Sequence, residues 1–207
     1  MINRRPAAAM AAGAMLSAYV TILPAAASLQ PPRHVRGTVA SVEGHWLTVR
    51  TSPDNVDPVL LADDVKVLTV APAGISAIKP GKYVGITSVE RNGRREAVEV
   101  RVFDEPLRGR GEADRPWDLA SGPDRMTNAN IARVEAVGRD RVLTLADKGG
   151  SRTIAVPPDA TIVTITPGTL DAVRPGANVF VITHGVPEGR LVGASIAVGE
   201  GGLKPPM

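Results

Sequence analysis

The chain has no cysteine. Disulfides and thiolate metal sites are therefore excluded, and the fold must hold by its core and its ladders alone. Aromatic residues are scarce at 3%, so the core has to be built from Val, Ile, Leu and Ala. Beyond the first 27 positions they are Trp46, Tyr83, Phe103, Trp117 and Phe180. That is a thin supply of stacking platforms for a single-strand nucleic-acid binder. Strong charge of one sign is also missing. The formal net charge is +3, and two of the positive charges, Arg4 and Arg5, belong to an N-terminal leader. No long-range field for steering nucleic acid follows from so small an excess. The three histidines, His34, His45 and His184, show no i, i+2 or i, i+4 spacing. There is no G-x-S-x-G elbow, no phosphate loop and no EF-hand density of carboxylates. No catalytic residue, metal ligand or cofactor is assigned from the sequence, and a non-enzymatic role is the expectation.

The leader has the form of an export signal. Arg4 and Arg5 give a positive start, and Ala7 to Leu23 is a run of apolar and small residues. Pro24-Ala-Ala-Ala27 supplies an A-x-A-type cleavage site before Ser28. An uncleaved anchor is the competing reading, since the run is about as long as the shortest membrane spans, ~17 residues. Its Ala and Gly content and its cleavage site favour removal. The expected location is the bacterial periplasm or the exterior, with no membrane span in the mature chain.

What remains says nearly the same thing twice. Residues 67–86 read VLTVAPAGISAIKPGKYVGI, and residues 162–181 read IVTITPGTLDAVRPGANVFV. Thr69, Pro72, Ala77, Pro80, Gly81 and Val84 recur in step as Thr164, Pro167, Ala172, Pro175, Gly176 and Val179. A gapless match of this length marks two copies of one module.

The organisation expected is a signal peptide (1–27), an N-terminal segment (28–35), a first module (36–103), a linker (104–127), a second module (128–198) and a tail (199–207). Alternating runs such as Trp46-Leu-Thr-Val-Arg-Thr51 read as strands. Pro80-Gly81 and Pro175-Gly176 read as type II turns, and Asn92-Gly93 as a tight hairpin turn. Gly74–Lys79 and Thr169–Arg174 are each a single helical turn. Asp63-Asp64 reads as a tight turn between two short strands. Each module then has about six short strands. The predicted fold is all-β, two tandem small OB-like or SH3-like barrels.

The order G-x-V-x-x-V, Leu-Thr-Val, V-x-V-L-T, Lys-Pro-Gly and Asn-Gly resembles an uncharacterised bacterial family of exported small β-barrels, catalogued as a domain of unknown function. Its carriers are Gly37, Val39, Val42, Leu47, Val49, Lys79, Pro80, Gly81, Val84, Asn92 and Gly93. The resemblance implies a fold and a compartment, and no reaction.

Candidate binding residues lie mainly in the linker. Arg115-Pro-Trp-Asp118 places a large aromatic beside charges of both signs in an otherwise loop-like stretch. Trp117 either fills the seam between modules or docks a partner or small ligand. Arg115, Trp117 and Asp118 are the expected site, with Trp46 as a further candidate. Arg91, Arg94, Arg95 and Arg101, interspersed with Glu90, Glu96 and Glu99, read as a solvated hairpin. Ser195 reads as a packed small residue. The function expected is a non-catalytic binding or scaffold protein for an envelope protein or a small ligand, with nucleic acid excluded. The alternative is a metal-handling or hydrolytic protein with His and Asp gathered between the modules.

Overall fold

The computed structural model describes residues 33–118, 123–185 and 190–206. The signal peptide and its cleavage site, linker residues 119–122, the Pro187-Glu-Gly189 turn and Met207 lie outside the described residues.

The chain is all-β. Five strands come first: β1 (Arg33–Glu43), β2 (Trp46–Ser52), β3 (Asn55–Pro72), β4 (Tyr83–Arg91) and β5 (Arg94–Phe103). Then follow β6 (Ala113–Trp117), β7 (Asp124–Val137), β8 (Asp140–Asp147) and β9 (Gly150–Val156). The last three are β10 (Thr161–Pro167), β11 (Asn178–Gly185) and β12 (Leu191–Gly199). Helical structure among the described residues is confined to 3₁₀ turns, including Ile75–Ala77 and Leu170–Ala172. Among the described residues, no helix is long and apolar enough to cross a membrane.

Local chemistry accounts for most of these elements. Leu47 and Val49 on β2 are fully buried, while Trp46 and Arg50 face solvent, as period-2 alternation requires. Asn92 (φ 50°) and Gly93 (φ 72°) form the two-residue turn that sets Arg91 opposite Arg94. Gly81 takes φ 80° in a turn closed by Lys82 N–H donating to Lys79 O at 3.2 Å.

Two expectations are corrected. Asp63-Asp64 is not a turn. β3 runs through it because its first part pairs with β2, its second with β10, and β12 pairs along both. The surplus residues are absorbed as a bulge, with Leu61 opposite Gly193 and Lys66 opposite Ser195. The first block therefore has five strands rather than six. Nor is the stretch 104–127 a structureless linker. β6 pairs with β7 from Ala113 opposite Asn128 to Trp117 opposite Asp124. Its side chains lack apolar alternation because they are held by charge: Asp114 accepts from Arg95, Arg125 and Thr127.

Strand pairing does not follow the two contiguous modules. β1, β2 and β3 close into a barrel with β11 and β12 from the far end of the chain. β4 and β5 join β7, β8 and β9, and this second ring meets at one register position, Glu96 opposite Ala155. Each hairpin has left its sequence neighbours for the other block. β3 and β10 run antiparallel at the centre, with Val70 opposite Ile165. These two residues occupy the same place in the two matching segments, so the segments lie about a local two-fold axis. The Pro-Gly turns obey it: Gly81 N–H donates to Ile131 O at 2.8 Å, and Gly176 N–H donates to Val39 O at 2.9 Å.

Three apolar clusters result. Val39, Leu47, Val181 and Ile196 belong to the one inside the first barrel. Val84, Ile86, Leu143 and Ile154 belong to the one inside the second ring. The third lies between them and contains Leu68, Val70, Tyr83, Phe103, Ile165 and Phe180. The shared strands serve two cores by alternation: Val100 and Val102 enter the second ring, while Phe103 turns to the central layer.

Candidate functional site

The central layer gathers the scarce aromatics. Tyr83, Phe103, Phe180 and Trp117 all belong to it. His34 joins them, its ring centroid 4.6 Å from that of Trp117 and 5.1 Å from that of Phe180. Guanidinium groups cap the rings: Arg36 lies 4.9 Å from the Phe180 centroid, and Arg101 and Arg115 lie 5.6 and 5.3 Å from that of Trp117.

A cavity of about 150 Å³ opens within this layer. Arg101 from β5, Arg110 from the loop before β6, and Arg115 and Trp117 from β6 form one part of its wall. Phe180, Ile165, Ile182 and Leu68 from β3, β10 and β11 give an apolar part, and Ser195 and Ala197 of β12 complete it with small side chains. No carboxylate lines it.

The arginines are held in place. Arg110 donates to Ser195 Oγ at 3.0 Å, and its carbonyl accepts from Tyr83 Oη at 3.1 Å and Asn128 Nδ2 at 3.2 Å. Burial pushes the Tyr83 hydroxyl up to about 12, with Glu112 adding to the effect. Arg115 donates to Gly111 O at 3.1 Å. Arg101 is only 6% exposed and donates from Nη2 to Met126 Sδ. Its Nε stands 3.4 Å from Glu99 Oε1, close enough for an ion pair, yet neither atom has a hydrogen-bond partner. Burial lowers the affinity of Arg101 for its proton; Glu99 opposes this, and Arg115 and Arg36 reinforce it by repulsion. Burial also lowers that of Arg115. Glu99, with Oε2 accepting from Thr87 at 3.3 Å, is pushed up to about 7 by burial, against the pull of Arg101 and of that hydrogen bond.

Of the residues expected from the sequence, Arg115 and Trp117 meet at the cavity. Asp118 lies alongside, accepting from His34 at 2.8 Å and from Arg36 at 2.9 Å. Burial would raise its carboxyl, but these two hydrogen bonds outweigh that and lower it. Trp46 does not join them; it is 43% exposed at the start of β2. Arg101 and Glu99 correct the reading of a solvated hairpin. Arg91 and Arg94 do face solvent, where they pair with Glu96, but Arg101 and Glu99 are buried. The signal that could have found them is Phe103, which shares their side of β5. Ser195 is buried, as expected of a packed small residue, and also lines the cavity. His45 stands near Asp63 at 3.7 Å, on the surface. Among the described residues, no group of three His, Asp or Glu side chains gathers in a way that could hold a metal ion.

The arrangement can enclose a small molecule beside fixed positive charge. It presents no nucleophile paired with a base. The chain matches no protein-family model, no curated protein and no solved structure.

Proposed function

We propose that the chain is a non-catalytic binding protein, exported to the bacterial cell envelope, that holds a small ligand in the cavity between its two strand rings. The observation that carries this reading is the cavity wall itself. Four of the five aromatics beyond the leader belong to the central layer, together with three buried or half-buried guanidinium groups. Burying several cations is costly, and a seam that only needed filling would be cheaper to build from aliphatic side chains. The Arg4-Arg5 leader and its cleavage site, and the resemblance to exported small β-barrels, support the envelope location. The two matching sequence segments are read as a duplication whose halves interlock, and the cavity sits where they meet.

Thermal unfolding of the purified chain against a panel of charged and neutral molecules of about benzene's size tests the proposal. A rise in melting temperature that disappears in Ala197→Leu, which fills the cavity from β12, is the expected result. A panel with no effect, or an effect that Ala197→Leu leaves intact, overturns it.

A further inference from the structure

The wall of the cavity specifies the class of ligand, an argument that rests on the cavity being the binding site. Its charged groups are all cationic, and its neutral polar side chains are Trp117, Asn128 and Ser195, of which Asn128 Oδ1 is a buried acceptor without a partner. Arg101 is 6% exposed, and its Nε has no hydrogen-bond partner. Trp117 Nε1 is buried and equally without one. Arg115 and Arg110 add two further guanidinium groups, and no carboxylate lines the space. A buried donor left without an acceptor is costly, so an acceptor supplied by a ligand gains more here than it would at the surface. Charge points the same way. Arg101 and Arg115 are close enough to repel each other, and the nearest compensating carboxylate, Glu99, meets Arg101 without a hydrogen bond.

The remainder of the wall excludes a fully hydrated inorganic anion as the best fit. Phe180, Ile165, Ile182 and Leu68 are apolar and would strip water from it without replacement. A volume of about 150 Å³ matches the space that accepts a benzene-sized molecule in an apolar protein cavity. We infer that the cavity binds a small organic monocarboxylate. Its carboxylate is received by Arg101, Arg115 and Trp117 Nε1, and its apolar body, about as large as one benzene ring, packs on Phe180, Ile165 and Ile182. Planar guanidinium forks suit a carboxylate better than a point charge would.

The chain has two tryptophans, so Trp46→Phe, a surface change, leaves Trp117 as the only indole and its emission as a report from the cavity wall. Benzoate, benzamide and inorganic phosphate are titrated into this variant of the full chain. Benzoate is expected to change Trp117 emission saturably, with benzamide and phosphate each at least about tenfold weaker. Arg115→Gln should weaken benzoate by about tenfold and leave benzamide unchanged, its fold checked by urea unfolding. Ala197→Leu should abolish both organic probes. Benzamide or phosphate binding as tightly as benzoate, or benzoate indifferent to Arg115→Gln, overturns the carboxylate assignment while the cavity remains a binding site. No response to any of the three probes overturns the cavity reading with it.

Discussion

Replacing Glu99 with glutamine should remove a specific slope from the pH dependence of stability. The carboxyl is 1% exposed, and burial moves it from 4.5 to about 7 in the folded chain. The sign follows from proton counting. Between those two values the native state holds a proton that the unfolded state has released, so stability falls as pH rises. At ~1.36 kcal/mol per unit, the full shift corresponds to about 3 kcal/mol, of which about 2 kcal/mol is lost between pH 5 and pH 8. Glutamine has the shape of the protonated acid, keeps an acceptor for Thr87, and does not titrate. The groups that face this position are Arg101, Arg36 and Thr87, none of them a carboxyl or an imidazole. Urea unfolding of both proteins at pH 5, 6, 7 and 8 gives the stability difference directly, and titrations elsewhere cancel in it. The parent should be within about 1 kcal/mol of Glu99→Gln at pH 5 and should lose about 2 kcal/mol relative to it by pH 8. A difference that stays constant from pH 5 to pH 8 would refute the argument, because it would mean that Glu99 is ionised throughout and that Arg101 fully compensates its burial.

Two further outcomes follow from packing and charge. Asp114 is the hub of three arginines, Arg125 at 2.9 Å, Arg95 at 3.2 Å and Arg152 at 3.6 Å. Burial alone would raise its carboxyl, but hydrogen bonds from Arg125, Arg95 and Thr127 hold it down at about 2. Asp114→Ala should therefore cost about 3 kcal/mol in urea unfolding at pH 7. Because the folded value is depressed, the difference should persist through pH 4 and fade only as pH approaches 2. Gly37 lies where β1 passes β2, and a Cβ there would stand 2.2 Å from the carbonyl oxygen of Arg50. That atom is backbone and cannot swing aside, so Gly37→Ala should lower stability by about 2 kcal/mol or more in the same assay.

The sequence was legible wherever the determinant was local. Period-2 alternation gave Leu47 and Val49 their inward direction, and Asn92-Gly93 and Pro80-Gly81 gave the turns. It was illegible wherever the determinant was the choice of partner. Alternation says that Val100 and Val102 face a core, but not that the core is shared with Leu143 and Ile154 of the other block. The continuity of β3 across Asp63-Asp64 likewise depends on β12, which arrives from the far end of the chain. The site divides in the same way. Arg115 and Trp117 stood out because an aromatic in polar surroundings needs something to pack on, and Trp117 does pack on the central layer. Arg101 and Glu99 did not, because a strand bearing Arg and Glu reads as solvated until a second layer is known to cover it.

The local two-fold relation shows how the central layer comes to hold this cavity. Along β3 and β10, Lys66 and Thr161 are equivalent positions, each one residue before its matching segment. Lys66 pairs with Ser195, and Thr161 pairs with Glu99. The same step sets Leu68 beside Ala197 and Val163 beside Arg101, then Val70 beside Gly199 and Ile165 beside Phe103. At three successive positions facing the central layer, one half therefore carries Glu99, Arg101 and Phe103, and the other carries Ser195, Ala197 and Gly199. A symmetric layer with two arginines here would set like charges against each other in a low-dielectric seam. A symmetric layer with two alanines would leave an uncharged void, which costs stability and attracts nothing in particular. The asymmetric pairing avoids both. The large half brings the guanidinium, the ring and the carboxylate that partly offsets the charge, while the small half leaves the space in front of them. The asymmetry between the neighbours of the two matching segments, Glu99, Arg101 and Phe103 on one side and Ser195, Ala197 and Gly199 on the other, is thus what leaves space in the layer between the two rings.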